Sequence, residues 1–170
     1  SLLCLILAGG KSIRMGQDKA LLNDSTNILS KKLEGLGCRV LIACGSRNRA
    51  HYFESDCWFD PPHTSSLGEV IHAFVAEHVE EVQIFPCDMY RLDDVALATI
   101  LAQSPGVPID SESNEQFTLT RIPAQFRPPK ALSLSDLFSS LNRNDLNSLG
   151  NRLENFNHPN QIDGLSKSDQ

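Results

Sequence analysis

The chain opens on an unbroken apolar run over residues 2–6, Leu-Leu-Cys-Leu-Ile. Similar runs return at Arg39–Gly45 and at Val82-Gln83-Ile84-Phe85, and a shorter one, Cys57-Trp58-Phe59, ends in Asp60. Runs of this length fit strands covered on both faces, as in a parallel sheet. Between them the spacing changes from two to three and four. Ile28, Leu29 and Leu33 fall on one helical face, with Asp24 or Ser25 as a cap and Gly35 or Gly37 as a stop. Leu67, Val70, Ile71, Phe74 and Val75 predict an amphipathic crossover helix over residues 67–79. Residues 92–102 predict another. A further helix starts at Ser133 or Ser135 and carries Leu134, Leu137, Phe138 and Leu141. From Gln103 to Lys130 the pattern weakens, although Phe117, Leu119 and Ile122 alternate as in a strand, and Pro128-Pro129-Lys130 reads as a linker turn. Strands alternating with helices are the sequence form of stacked βαβ units. The expectation is an α/β fold, a three-layer α/β/α single domain over residues 1–163 with a mostly parallel sheet, followed by a polar tail over residues 164–170.

Composition narrows the function classes. A chain of 170 residues suits one domain with one core. A formal charge of -6 and a pI near 5.3 argue against a general nucleic-acid binder. Local positive patches remain at residues 11–19 and 47–49. Cys4, Cys38, Cys44, Cys57 and Cys87 are odd in number and form no C-x-x-C pair, so they read as reduced thiols acting as small hydrophobes. The first apolar run lacks a basic flank and is far too short to cross a bilayer. A cytoplasmic protein without membrane or nucleic-acid partners is expected.

The chemistry concentrates in residues 7–19, Leu-Ala-Gly-Gly-Lys-Ser-Ile-Arg-Met-Gly-Gln-Asp-Lys. Gly9 and Gly10 let the backbone turn sharply at the strand end and approach a ligand closely, so that several N–H groups can face one anion. Lys11, Arg14 and Lys19 against Asp18 add positive charge, and the loop reads as a polyphosphate site. It is not a Walker loop, because the position five before Gly10 is Leu5. Nor is it a dinucleotide fingerprint, since Gly9, Gly10 and Gly16 have the wrong spacing.

This segment closely resembles the signature of the MobA-like nucleotidyltransferases, typified by molybdenum cofactor guanylyltransferase, over residues 3–22. The resemblance implies a Rossmann-like fold of the nucleotide-diphospho-sugar transferase type. It also implies that Leu7, Ala8, Gly9 and Gly10 contact the nucleotide, that Lys19 holds phosphates or substrate, and that Arg14 supports them. The implied reaction is Mg²⁺-dependent transfer of GMP from GTP to molybdopterin with release of pyrophosphate. Molybdoenzyme maturation proteins would be further partners. The alternatives are cytidylyl or other nucleotidyl transfer to a different phosphorylated acceptor, and a diverged nucleotide-binding relative without catalysis.

Two shorter stretches extend the likeness. Pro86-Cys87-Asp88-Met89 places a carboxylate at the end of the fourth strand, where open α/β sheets bind ligands. A hard oxygen there suits Mg²⁺ shared with substrate phosphates, and the resemblance makes Asp88 the metal ligand. The alternative is a cap for the helix near Leu92. Asn155-Phe156-Asn157-His158-Pro159 resembles a family segment in which an Asn approaches the metal, and Asn157 as a helix cap is the plain reading. Asp60 resembles a nucleotide-binding Asp, or is a turn former before Pro61-Pro62. The chain departs from the family pattern at Ser65-Ser66, where Gly-Pro is expected, and at Tyr90, where Pro is usual. Ser65 or Ser66 would cap the next helix and present N–H groups to an anion. At the end of the second strand, Ala43 stands where guanylyltransferases carry Asn. That leaves the choice between GTP and CTP open, because base selection rests on directional polar contacts.

Overall fold

A computed structural model describes residues 1–9, 13, 14 and 17–146. Its centre is a five-stranded sheet. The first strand, β1 (Leu3–Leu7), is followed by a small antiparallel ribbon, β2 (Ile13–Arg14) and β3 (Gln17–Asp18), and by helix α1 (Ser25–Gly35). Then come β4 (Arg39–Gly45), β5 (Cys57–Phe59), α2 (Leu67–Glu77) and β6 (Val82–Pro86). The remaining elements are α3 (Asp94–Leu101), β7 (Val107–Ile109), β8 (Arg121–Ile122), α4 (Leu134–Leu137) and β9 (Arg143–Asp145).

The strand order is β5-β4-β1-β6-β8, parallel from β5 to β6, with β8 antiparallel at the edge. Thus β1 lies in the interior of the sheet, which is why its run is apolar without alternation. Successive side chains of β1 nevertheless go to opposite faces. Cys4 and Ile6 join Leu29 and Leu33 of α1 and Leu97 and Ile100 of α3 on one face, while Leu3 and Leu5 join Ile71, Phe74 and Val75 of α2 and Leu137 of α4 on the other. The three layers and the mostly parallel sheet are those expected.

Local signals set most element ends. Asp93 caps α3, its Oδ1 accepting the Ala96 N–H at 2.9 Å, so the helix starts at Asp94 rather than Leu92. α2 ends at Glu77, short of residue 79, and α4 is a single turn opened by Ser133, with Leu141 beyond it. Asp24 stands at the start of α1 with a left-handed backbone and makes no capping bond to it; its carboxylate instead accepts from the Asn27 side chain at 3.0 Å.

One expected strand is corrected. Phe117–Leu119 forms a 3-10 turn, and only Arg121–Ile122 pairs with the sheet. The alternation of Phe117, Leu119 and Ile122 imitates a strand. The carbonyls of Leu119 and Thr120, however, accept from the buried Gln83 amide and hold the chain in a bend. β7 and β9 pair in parallel across 36 residues or so of chain, a contact no local pattern announces. No described helix is long and apolar enough to cross a membrane.

Candidate functional site

The four parallel strands end side by side, and a cleft of about 340 Å³ opens over their carboxyl ends. Each strand contributes to it: Leu7 and Gly9 from β1, Ala43 from β4, Asp60 beyond β5, Pro86 and Cys87 from β6. The start of α2 closes one side with Ser65, Ser66, Leu67 and Val70, and Thr118 comes from the 3-10 turn.

Close backbone approach shapes the floor. Gly45 has φ +89°, and a Cβ built on it would lie 2.6 Å from the Gly9 carbonyl oxygen. The bend at the end of β4 therefore brings its backbone against the glycine loop, and only glycine fits there. Ala8 is buried and gives its N–H to the Ala43 carbonyl at 2.9 Å, so that amide is committed to the sheet. Leu7 and Gly9 face the cleft. Gly10 lies outside the described residues, as do the side chain of Arg14 and the whole of Asn157.

Lys19 lines the cleft, and its Nζ lies 3.1 Å from Oδ2 of Asp88. The Asp88 side chain is 6% exposed and that of Lys19 is 21% exposed, so the carboxylate is buried behind a cation that faces the opening. A buried carboxylate needs such a partner. Asp88 makes no capping bond to the turn that follows it, Met89–Arg91. With Asp93 serving α3, the capping alternative for Asp88 falls away. Tyr90 is buried, and its hydroxyl accepts from the Asn23 side chain at 3.3 Å and from Arg91 Nε at 3.1 Å. It thereby links the strand-end turn to the loop after Lys19.

Ser66 caps α2 in a full capping box with Glu69. The Glu69 carboxylate accepts the N–H groups of Ser65 at 2.9 Å and Ser66 at 3.1 Å. These backbone bonds from Ser65, with that from its hydroxyl, hold the Glu69 carboxyl below its ordinary range. The capping expectation stands, but the two amides offered to an incoming anion are already occupied by the protein's own carboxylate. Asp60 lines the cleft and its N–H donates to the Gly45 carbonyl at 2.8 Å. His63 is exposed in the same loop. Cys87 borders the cleft, yet burial pushes its thiol up to about 12, which keeps it protonated and unreactive at neutral pH. Burial, with a hydrogen bond to Cys57, does the same for Cys44.

Among the described residues no group of three or more His, Cys, Asp and Glu side chains is gathered to hold a metal ion. The donor chemistry of Asp88 fits Mg²⁺ in its usual enzymatic role, bound by one or two carboxylates and completed by water and substrate phosphate.

Sequence reasoning missed several parts of the wall: Leu67, Val70, Pro86 and Thr118. Leu67 and Val70 read as core positions of an amphipathic helix, and only the tertiary packing of α2 brings its first turn to the cleft. Arg49 was visible only as part of a basic patch.

A family model described as MobA-like NTP transferase domain matches residues 4–153. A protein from Aquifex aeolicus VF5 shares the fold with a TM-score of 0.64 at 16% identity, over 89% of this chain and 89% of its own. Molybdopterin-guanine dinucleotide biosynthesis protein A from Archaeoglobus fulgidus gives 0.62 at 13% identity, over 99% of this chain and 92% of that one. No curated protein matches the chain. Two structural neighbours at such low identity speak for the fold, and the family model speaks for descent. The chain belongs to the MobA-like NTP transferase domain family and is a nucleotidyltransferase.

Proposed function

We propose that the protein transfers GMP from GTP to molybdopterin, releasing pyrophosphate and forming the guanine dinucleotide. The observation that carries the reading is the cleft itself: a glycine loop, an apolar wall and the Lys19–Asp88 pair meet at the carboxyl ends of four parallel strands. A phosphate oxygen of the acceptor attacks the α-phosphorus, the bond to the β-phosphate breaks, and pyrophosphate carries away the electron pair. Such chemistry needs positioning and charge neutralisation, with no covalent nucleophile. Lys19 would neutralise charge on the phosphates as it develops. Leu7 and Gly9 would seat the nucleotide, with Asp60 and Asp88 on either side. Mg²⁺ held by Asp88, with Asn157 as a second candidate ligand, would supply Lewis-acid polarisation of phosphate oxygens.

The acceptor and the base rest on the family resemblance and on the Archaeoglobus protein's name. One observation favours a second reading of the base. Ala43 lines the cleft beside Leu7, Leu67 and Val70, so this stretch of wall offers no side-chain hydrogen bond. A CTP-using relative is therefore the alternative. The deciding experiment measures Mg²⁺-dependent pyrophosphate release from each of the four nucleoside triphosphates, with and without molybdopterin, for wild type and Asp88→Ala. Release with GTP and molybdopterin that Asp88→Ala abolishes supports the proposal. A CTP preference favours the alternative, and nucleotide binding without release in any combination rejects both.

A further inference from the structure

The basic patch at residues 47–49 resolves into residues with different roles. Arg47 lies over the Phe59 ring, 4.5 Å from its centroid. Arg49 turns inward from the 3-10 turn Arg47–Tyr52, and its side chain is only 16% exposed. Its Nε donates to the Cys44 carbonyl at 2.9 Å and its Nη2 to the Ala8 carbonyl at 2.9 Å. Its Nη1 is ion-paired with the Asp18 carboxylate. The other oxygen of that carboxylate accepts the Ala20 N–H at 3.0 Å. One guanidinium thus ties the end of β4 and the glycine loop after β1 to the residue immediately before Lys19.

The geometry has a direct consequence for Lys19. A guanidinium is a rigid planar fork whose donors leave at fixed angles, so three acceptors on it are fixed relative to one another. Two of these acceptors are main-chain carbonyls at the strand ends that build the cleft floor. The third belongs to the residue bonded to Lys19, with Ala20 on the far side held by the same carboxylate. Lys19 is therefore anchored on both flanks to the frame that places Asp88 and Gly9. An ammonium is a compact charge and cannot span the same three acceptors.

We propose that Arg49 is a positioning residue for Lys19, acting through Asp18 to hold the Lys19 backbone at the distance from which its ammonium reaches both Asp88 and the bound phosphates. This rests on the assignment of Lys19 to the nucleotide phosphates. Arg49 itself touches no substrate in this account.

The test is a double-mutant cycle between Arg49→Lys and Lys19→Ala, read on nucleoside triphosphate affinity by calorimetry and on pyrophosphate release. Asp18→Asn serves as a second entry to the cycle, because it leaves the guanidinium bonds to Ala8 and Cys44 in place and threatens the fold least. Circular dichroism and the thermal midpoint establish that each variant is folded. Misplacing a catalytic group by about 1 Å costs on the order of 10²-fold in rate. Arg49→Lys and Asp18→Asn should each lower release by up to that factor when Lys19 is present. In the Lys19→Ala background the loss should shrink to about threefold or less, and affinity should show the same non-additivity. Equal factors in both backgrounds would make Arg49 merely structural and overturn the proposal, as would unchanged release and affinity in folded Arg49→Lys and Asp18→Asn. A wild type that binds nucleotide without releasing pyrophosphate would reject the transfer reading alone, and the affinity cycle would still decide the role of Arg49. A wild type that neither binds nor releases would remove both.

Discussion

Two buried polar clusters stand on neighbouring parts of the sheet, and they are built in opposite senses. At the cleft, the carboxylate of Asp88 is buried and its cation, Lys19, faces the opening. At the antiparallel edge the cation is buried: the Arg121 side chain is 7% exposed, and its partner Glu81 is 38% exposed on the outside. Arg121 gives Nε to Gln83 at 3.1 Å, Nη1 to Glu81 at 2.7 Å and Nη2 to the Leu101 carbonyl. Gln83 and Gln103 then bond each other and share the Leu119 carbonyl, and Asn144 of β9 joins through Gln103 at 3.1 Å. Every donor nitrogen of Arg121 is committed inside the protein. Among the described residues Lys19 is held by Asp88 alone, and it lines the cleft with two further ammonium donors. A closed network specifies the fold, whereas an open pair can exchange its partner for a phosphate. Burial alone therefore does not mark function; the direction in which the remaining hydrogen-bonding capacity points does.

The comparison is broken most sharply at Lys19. Lys19→Ala should lower pyrophosphate release by about 10² to 10³, the range for a preorganised charge stabiliser, and should also lower the denaturation midpoint, because it leaves the buried Asp88 carboxylate without its cation; steady-state kinetics on the folded protein beside urea unfolding separates the two. Normal turnover in this variant would take Lys19 out of the mechanism. Arg121→Met should act on the fold alone, costing about 2 to 3 kcal/mol in urea unfolding by taking away the side-chain donor to the Leu101 carbonyl and one of the two donors to Gln83, with nucleotide affinity of the folded protein unchanged.

Gly45→Ala should sharpen the picture at the cleft floor. The left-handed backbone and the 2.6 Å approach to the Gly9 carbonyl force the loop to move, at a cost of about 1 to 3 kcal/mol. Calorimetry should show weaker nucleotide binding, because the displaced atoms belong to the glycine loop. The smallest effect is expected at Glu69. Its carboxyl is lowered from the ordinary value of 4.5 by backbone bonds from Ser65. A depressed carboxyl contributes stability above its unfolded pKa and loses it as pH falls through the folded pKa. Thermal midpoints of wild type and Glu69→Gln, followed from pH 6 down to about pH 3, should therefore converge at the acid end; parallel curves would assign Glu69 no such role.

Much of the architecture was written in local pattern. The apolar runs at Leu3–Leu7, Arg39–Gly45 and Val82–Pro86 become strands because each is sheathed on both faces, and Ser66 and Asp93 start their helices through bonds to residues three positions on. The glycine loop and Asp88 were legible as well, since a close backbone approach and a carboxylate at a strand end each require particular residue types. Phe117 and Leu119 misled because alternation describes a face, and a bend held by Gln83 from across the sheet satisfies the same spacing.

The sequence by itself determined the α/β class, the succession of the main strands and helices along the chain and the glycine loop after the first strand, because those depend on periodicity, capping and glycine, all of which act over a few residues. Only the tertiary structure decided that Asp88 faces Lys19, that Glu69 occupies the amides of Ser65 and Ser66, and that Arg49 rather than Arg47 turns inward to grip Asp18. The physical reason is that a charge buried at a strand end takes whichever partner the packing brings within reach. That partner lies 31 residues away for Asp18 and Arg49, a separation over which no local pattern operates.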